Sequence, residues 1–300
     1  MKAFPSIFLG LGAFGCFLPA TMAAESKVVA VLSRALAPYE TALKNFQQDG
    51  RFAVQVVNLE GDMSKIGEIQ AALAAEKPVA VLALGTEAVN AIKNSPPPGS
   101  ALIFSMILDP MEIPGRKVSG VVMQIPTGEQ FARLAKMLPG AKRVGVVYNP
   151  KFSKKSILQA RDVVGQYGMS LMPIAVENFD EIPGALSNLT NDKVDVLWSV
   201  VDNLVAQPSA ISQIIEHAHN EKVPFIGLSM YHVKAGALAA FAVDYSDLGK
   251  QTAELTAKVV AGEASNRIET PRKIVAYVND TVQKQLGLNL SDFPDVQILR

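Results

Sequence analysis

The residues of this chain that could bind a small molecule stand just after short apolar runs. Ser33 and Arg34 follow Val28–Leu32, with Tyr39 about a helical turn later. Gly85, Thr86 and Glu87 follow Val79–Leu84, and Asp109-Pro110 follows Ala101–Ile107. Further along, Asn149-Pro150 follows Arg143–Tyr148, Asp202-Asn203 follows Val194–Val200, and Ser229 follows Pro224–Leu228. Hydroxyl, amide and carboxylate groups at such points suit reversible capture. Helix N-termini beginning there add free N–H groups and a field that favours a carboxylate or another anion. Each group also has a purely structural reading. Thr86 can be an N-cap, Asp109-Pro110 and Asn149-Pro150 are turn dipeptides, and Asp202-Asn203 can start a helix. Their recurrence at strand ends in both halves favours the binding reading.

Covalent or metal chemistry finds little support. His217 and His219 are two residues apart, so on a helix they point to different faces; His232 is isolated. All three read as solvated or locally bonded. No GxSxG, P-loop or GxGxxG motif follows a strand. The one cysteine, Cys16, lies in the N-terminal apolar stretch, so the rest of the chain has no thiolate and can form no disulfide. These features point away from an enzyme and call for no cofactor and no metal. Lys plus Arg and Asp plus Glu are 28 each, without a basic stripe, which argues against a nucleic-acid partner.

The elements that must position these residues alternate. The nearly continuous apolar runs suit parallel strands buried on both faces. Between them lie amphipathic stretches: Tyr39, Ala42, Leu43 and Phe46; Ile66, Ile69 and Leu73; Phe131, Leu134, Ala135 and Leu138. Such alternation predicts an α/β chain of doubly wound parallel sheets. The strands are too many for one sheet, and a break near Lys117–Gly120 separates four strand–helix units from four more. Ala237–Val243, a helix from Asp247 to Val260 and a strand at Ile274–Val278 must then be shared, so the chain crosses between lobes more than once. The expected division is residues 24–119 with 244–268 in one Rossmann-like lobe and 120–243 with 269–300 in the other.

Before these elements, Lys2 precedes the uncharged stretch Ala3–Ala20 and the small residues Ala20-Thr21-Met22-Ala23-Ala24. That order predicts a cleavable export signal, residues 1–23, and a periplasmic mature protein. Gly10, Gly12, Gly15 and Pro19 argue against a permanent span. Ala13-Phe14-Gly15 is a poor context for lipid attachment at Cys16.

Several stretches resemble one family. VLALGTEAVNAIKNSPPPGSALIFSMILDP (Val81 to Pro110), LPGAKRVGVVYNP (Leu138 to Pro150), VDVLWSVVDNLV (Val194 to Val205) and GALAAFAVDYSDLGKQTAELTAKVVAGE (Gly236 to Glu263) are similar to ABC-transporter substrate-binding proteins, the group that includes the tryptophan-binding lipoproteins. The resemblance covers nearly the whole chain after the signal. It implies a type I periplasmic-binding fold, two Rossmann-like lobes joined by a three-strand hinge. Gly85, Thr86 and Asp109 would line the cleft from one lobe, and Asn149, Asp202 and Ser229 from the other. Where relatives bind an amino acid, Thr86 would hold the carboxylate and Asp202 the ammonium. Asp202→Asn would then weaken binding and leave the fold intact. Two departures flank the cleft: Ile125-Pro126-Thr127-Gly128 stands where the family often has Asn-x-Thr-Gly, and Ala37-Pro38-Tyr39 replaces its His-Pro. An aromatic amino acid is therefore not carried over as the ligand. The expected function is that of a monomeric solute-binding component of an ABC importer, delivering a small molecule to a membrane permease. A periplasmic sensor module is the alternative, ahead of an exported α/β enzyme.

Overall fold

A computed structural model describes residues 26–93, 97–110 and 112–300. The expected export segment and Cys16 lie outside those residues. The first lobe runs β1 (Lys27–Leu32), α1 (Ala37–Gln48), β2 (Ala53–Asn58), α2 (Ile66–Glu76), β3 (Ala80–Leu84), α3 (Thr86–Lys93), β4 (Ala101–Ser105) and β5 (Val118–Val121). The second follows with α4 (Thr127–Met137), β6 (Arg143–Tyr148), α5 (Pro150–Val164), β7 (Ser170–Ala175), α6 (Ile182–Asn191), β8 (Val196–Trp198), α7 (Pro208–Glu221), β9 (Phe225–Gly227), α8 (Met230–Ala235) and β10 (Ala239–Val243). The chain then supplies α9 (Tyr245–Val260) and β11 (Ile268–Glu269) to the first lobe, and β12 (Ile274–Asn279), α10 (Asp280–Gln285) and β13 (Val296–Leu299) to the second.

The first sheet has the order β11-β5-β4-β3-β1-β2 and the second β13-β12-β10-β9-β8-β6-β7. Apart from the antiparallel β10–β12 pair, all described pairings between these strands are parallel. This is the two-lobed type I periplasmic-binding fold. The apolar runs lack polar alternation because helices cover both faces. On β1, Val28, Ala30 and Leu32 pack into one core while Val29 and Val31 enter another. Ala80, Leu82 and Leu84 on β3 repeat the first pattern, and Val81 and Ala83 the second. On α1, Ala42, Leu43 and Phe46 are the buried face. Its neighbour α9 comes so near that a Cβ on Gly249 would sit 2.1 Å from the Ala42 carbonyl oxygen.

The expected break near Lys117–Gly120 is instead partly a strand. β5 pairs with β4 from Leu102↔Val118 to Ser105↔Val121, so the first sheet gains a fifth strand before the chain leaves it. Gly120, which reads as a breaker in sequence, permits a close approach there. A Cβ would lie 2.4 Å from the Phe104 carbonyl oxygen and 2.5 Å from its ring.

Three segments connect the lobes: residues 122–126, Asp244, and residues 270–273. The last two are tied together. Asp244 N–H donates to the Lys273 carbonyl at 3.2 Å, and Lys273 Nζ pairs with the Asp244 carboxylate at 2.9 Å. Arg272 forks onto Asp247 and Glu254 of α9, anchoring the third crossing to the first lobe.

Candidate functional site

In each sheet the strand order reverses next to the first strand of the lobe, between β1 and β3 and between β6 and β8. Open α/β sheets bind ligands beyond the strand carboxyl ends at such points. Ser33 and Gly85-Thr86 leave the two strands at the first of these points; Asn149 and Asp202 leave those at the second.

At the first, Ser33 is fully buried and its Oγ accepts the Ala88 N–H at 2.9 Å, so it caps α3 from the neighbouring strand. Gly85 has φ +92°, and a Cβ there would lie 2.6 Å from both Ser33 Oγ and Tyr39 Cε1. Only glycine lets Tyr39 lie over this turn. Thr86 is exposed at the helix start, as is Asp109 after β4. Tyr39, Thr86, Asn90, Asp109, Glu112 and Met123 are among the residues around a cavity of about 650 Å³. That volume is within the ~300–1,000 Å³ of small-molecule sites. The charged side chains on its wall are Lys93, Asp109 and Glu112. Beside it, Arg34 pairs with Glu87 at 3.1 Å. The Glu87 carboxyl is held below the usual range by its own backbone N–H first, then by Arg34 and Ser33, against the upward push of burial. Burial raises the Tyr39 phenol, and the Glu87 charge adds to the rise while Arg34 opposes it.

At the second point, the side chains serve their own lobe. Asn149 is buried and caps α5 by accepting the Lys151 N–H at 2.9 Å, while its amide donates to the Glu177 carbonyl. Asp202, 2% exposed, accepts from Leu204 N–H and Val205 N–H on Oδ1 and from Asn149 N–H and the Ser153 hydroxyl on Oδ2. Four donors meet a carboxylate with about four acceptor sites. Ser229 starts α8 half-buried, and its side chain makes no capping bond. The structure thus gathers Tyr39, Thr86 and Asp109 at one cavity, with Gly85 and Ser33 packed against Tyr39 and the turn behind it. Asn149 and Asp202 are joined to each other in the second lobe.

The model of the family described as ABC transporter substrate binding protein matches residues 38–295. This chain belongs to that family. It is 26% identical over 273 residues to the tyrosine-binding protein of Clostridioides difficile (strain R20291), spanning 86% of this chain and 77% of that one. In fold it is similar to the ligand-free, open structure of a substrate-binding protein with adhesive properties from Clostridium difficile. There the TM-score is 0.77 at 22% identity, covering 92% of this chain and 99% of that one. A domain from Streptococcus pneumoniae in complex with L-Trp matches with TM-score 0.57 at 21% identity, over 91% of this chain and 100% of that one.

In this substrate-binding protein, sequence reasoning passed over Asn90, Glu112 and Met123 of the cavity wall, and Tyr245 at the second crossing between lobes. Asn90 is four residues after Thr86, on the same helix face, which was a usable signal. Tyr245 follows the end of β10 by two residues, so the strand-end rule that singled out Thr86 would have found it. Tyr245 is raised in pKa by burial first, then by the neighbouring phenols of Tyr277, Tyr39 and Tyr231. It is the first residue of α9, directly after the crossing at Asp244, and so stands where the chain passes between lobes. Trp198 is buried, packs against Phe131 with the rings tilted and their centroids 5.0 Å apart, and donates to Gln130. His217 Nε2 on α7 hydrogen-bonds Thr190 Oγ1 on α6 at 2.6 Å. Among the described residues, no group of three or more His, Cys, Asp or Glu could hold a metal, and no helix is long and apolar enough to cross a membrane.

Proposed function

We propose that this substrate-binding protein is the exported, periplasmic component of an ABC importer, and that it captures a small zwitterion such as an amino acid between its lobes for delivery to a membrane permease. The observation that carries the reading is the cavity at the first-lobe switch point. Its wall offers the start of α3 at Thr86 for a carboxylate and the exposed Asp109 for an ammonium. With Glu112 also acidic and Lys93 basic, the wall is not one that favours a simple anion. Tyr39 supplies an apolar surface between the two ends. The tyrosine-binding relative and the L-Trp complex support an amino-acid ligand, and the leader-like order of residues 1–24 supports export. Asp109 replaces Asp202 as the favoured ammonium partner, because the Asp202 oxygens already face four donors.

The test is calorimetric titration of the purified mature chain with L-tyrosine, L-tryptophan and the other common L-amino acids. Saturable binding is expected for at least one. Asp109→Asn should weaken it roughly 10–150-fold, the equivalent of a lost charge-assisted hydrogen bond of about 1.5–3 kcal/mol. Absence of binding across the series would remove amino acids as the ligand class.

A further inference from the structure

The cavity wall belongs to the first lobe and the first crossing, whereas a ligand held between two lobes needs a second surface. At the strand carboxyl ends of the second lobe, three large apolar side chains stand in solvent: Phe152 is 45% exposed, Val201 55% and Tyr231 74%. Tyr231 is the most exposed of the large hydrophobic residues among those described.

The short helix that carries it is firmly seated. His232 Nδ1 accepts the Leu228 N–H at 3.1 Å, and its side chain packs where a Cβ on Gly227 would meet it at 2.6 Å. Asn279 Nδ2 donates to the Val233 carbonyl at 2.8 Å, and Val233 is fully buried. A surface helix held from both sides yet projecting an aromatic ring has positioned that ring. Its location follows from the sheet: β9 and β10 are parallel neighbours, so Tyr231 and Tyr245, just past their carboxyl ends, share one rim, and α9, which Tyr245 starts, packs on α1, the helix of Tyr39. Tyr231 and Tyr39 thus stand on the second-lobe and first-lobe sides of the crossing at Asp244.

We propose that Tyr231 is a specificity-determining residue: when the lobes close, it packs over the apolar part of a ligand whose polar end is held at Thr86 and Asp109, with Val201 and Phe152 extending the apolar surface. The ligand class is a small molecule with a polar head and a planar or extended apolar body; this rests on the ligand-binding reading above. A contact made only on closure favours the closed state by its differential affinity. It therefore acts on dissociation more than on encounter.

Two measurements test it on the mature chain. The first compares wild type, Tyr231→Phe and Tyr231→Ala with L-tyrosine, L-tryptophan and L-leucine as probes. For whichever probe binds most tightly, Tyr231→Ala should lose at least tenfold in affinity through faster dissociation, with the melting temperature unchanged. Tyr231→Phe should stay within threefold. An alanine variant within twofold of wild type overturns the proposal, as does a loss accompanied by a lowered melt. The second is photo-oxidative joining of tyrosines in ligand-free protein, read by peptide mass spectrometry. A link from Tyr231 to Tyr39 or Tyr245 is expected. Links that leave Tyr231 out overturn its placement, even where no amino acid binds wild type and the ligand reading has failed on its own.

Discussion

Asn149 donates its backbone N–H to Asp202 Oδ2 at 2.8 Å, joining the ends of β6 and β8 where the second sheet reverses its order. The first lobe solves the same problem with Ser33 Oγ and the Ala88 N–H. In each case a side chain from one strand end satisfies a backbone donor at the other. Such a tie matters because a buried donor without a partner costs about 1–3 kcal/mol.

Asp202→Asn should therefore act on stability. An amide presents one oxygen and one NH₂, so donors now facing Oδ1 and Oδ2 cannot all be satisfied. A loss of about 1–3 kcal/mol, or several degrees in melting temperature, is expected. Thermal denaturation of the ligand-free variant checks it. A melt equal to wild type would return Asp202 to the role expected from sequence, a ligand contact that the fold can do without.

Gly85→Ala should be among the most harmful single methyl additions. It puts an L residue at φ +92° and a Cβ 2.6 Å from Ser33 Oγ and Tyr39 Cε1. The left-handed conformation alone costs roughly 1–2 kcal/mol, and the displaced Tyr39 should weaken any ligand at the cavity. Gly184→Ala, within α6 and with nothing within 4 Å of the new Cβ, is the control. It should stabilise by up to about 1 kcal/mol through helix propensity. Denaturant melts of the two variants should move in opposite directions.

His232 makes stability depend on pH. Burial lowers its pKa from 6.5, and its Nδ1 serves as acceptor for the Leu228 N–H. Because the native value is the lower one, the unfolded chain takes up this proton first as pH falls. The contribution is constant above about pH 6.5 and turns unfavourable as pH drops through the folded pKa. In His232→Asn the amide oxygen can accept the same bond without titrating. The variant should lose less stability than wild type between pH 7.5 and 5.5, measured as the difference between paired urea melts at each pH.

Much of this protein was legible in its sequence because the relevant forces are local or periodic. Unbroken apolar runs such as Val28–Leu32 identify strands covered on both faces, and the spacing of Ala42, Leu43 and Phe46 identifies the buried side of a helix. The positions after the strands located Tyr39, Thr86 and Asp109, since any doubly wound sheet exposes those ends at its rim. Tertiary structure decided which of the candidates remain free to meet a ligand. Asp109 and Asp202 look alike in sequence, each an acid at a strand end before a turn. One is left in solvent, and the other is surrounded by four donors, one of them on Ser153, 49 residues away along the chain. The same holds for Gly120, a breaker by type, which becomes a strand residue because Phe104 of the neighbouring strand occupies the space a side chain would need. Hydrogen-bond partners and excluded volume are set by residues distant in sequence, so no local pattern carries them.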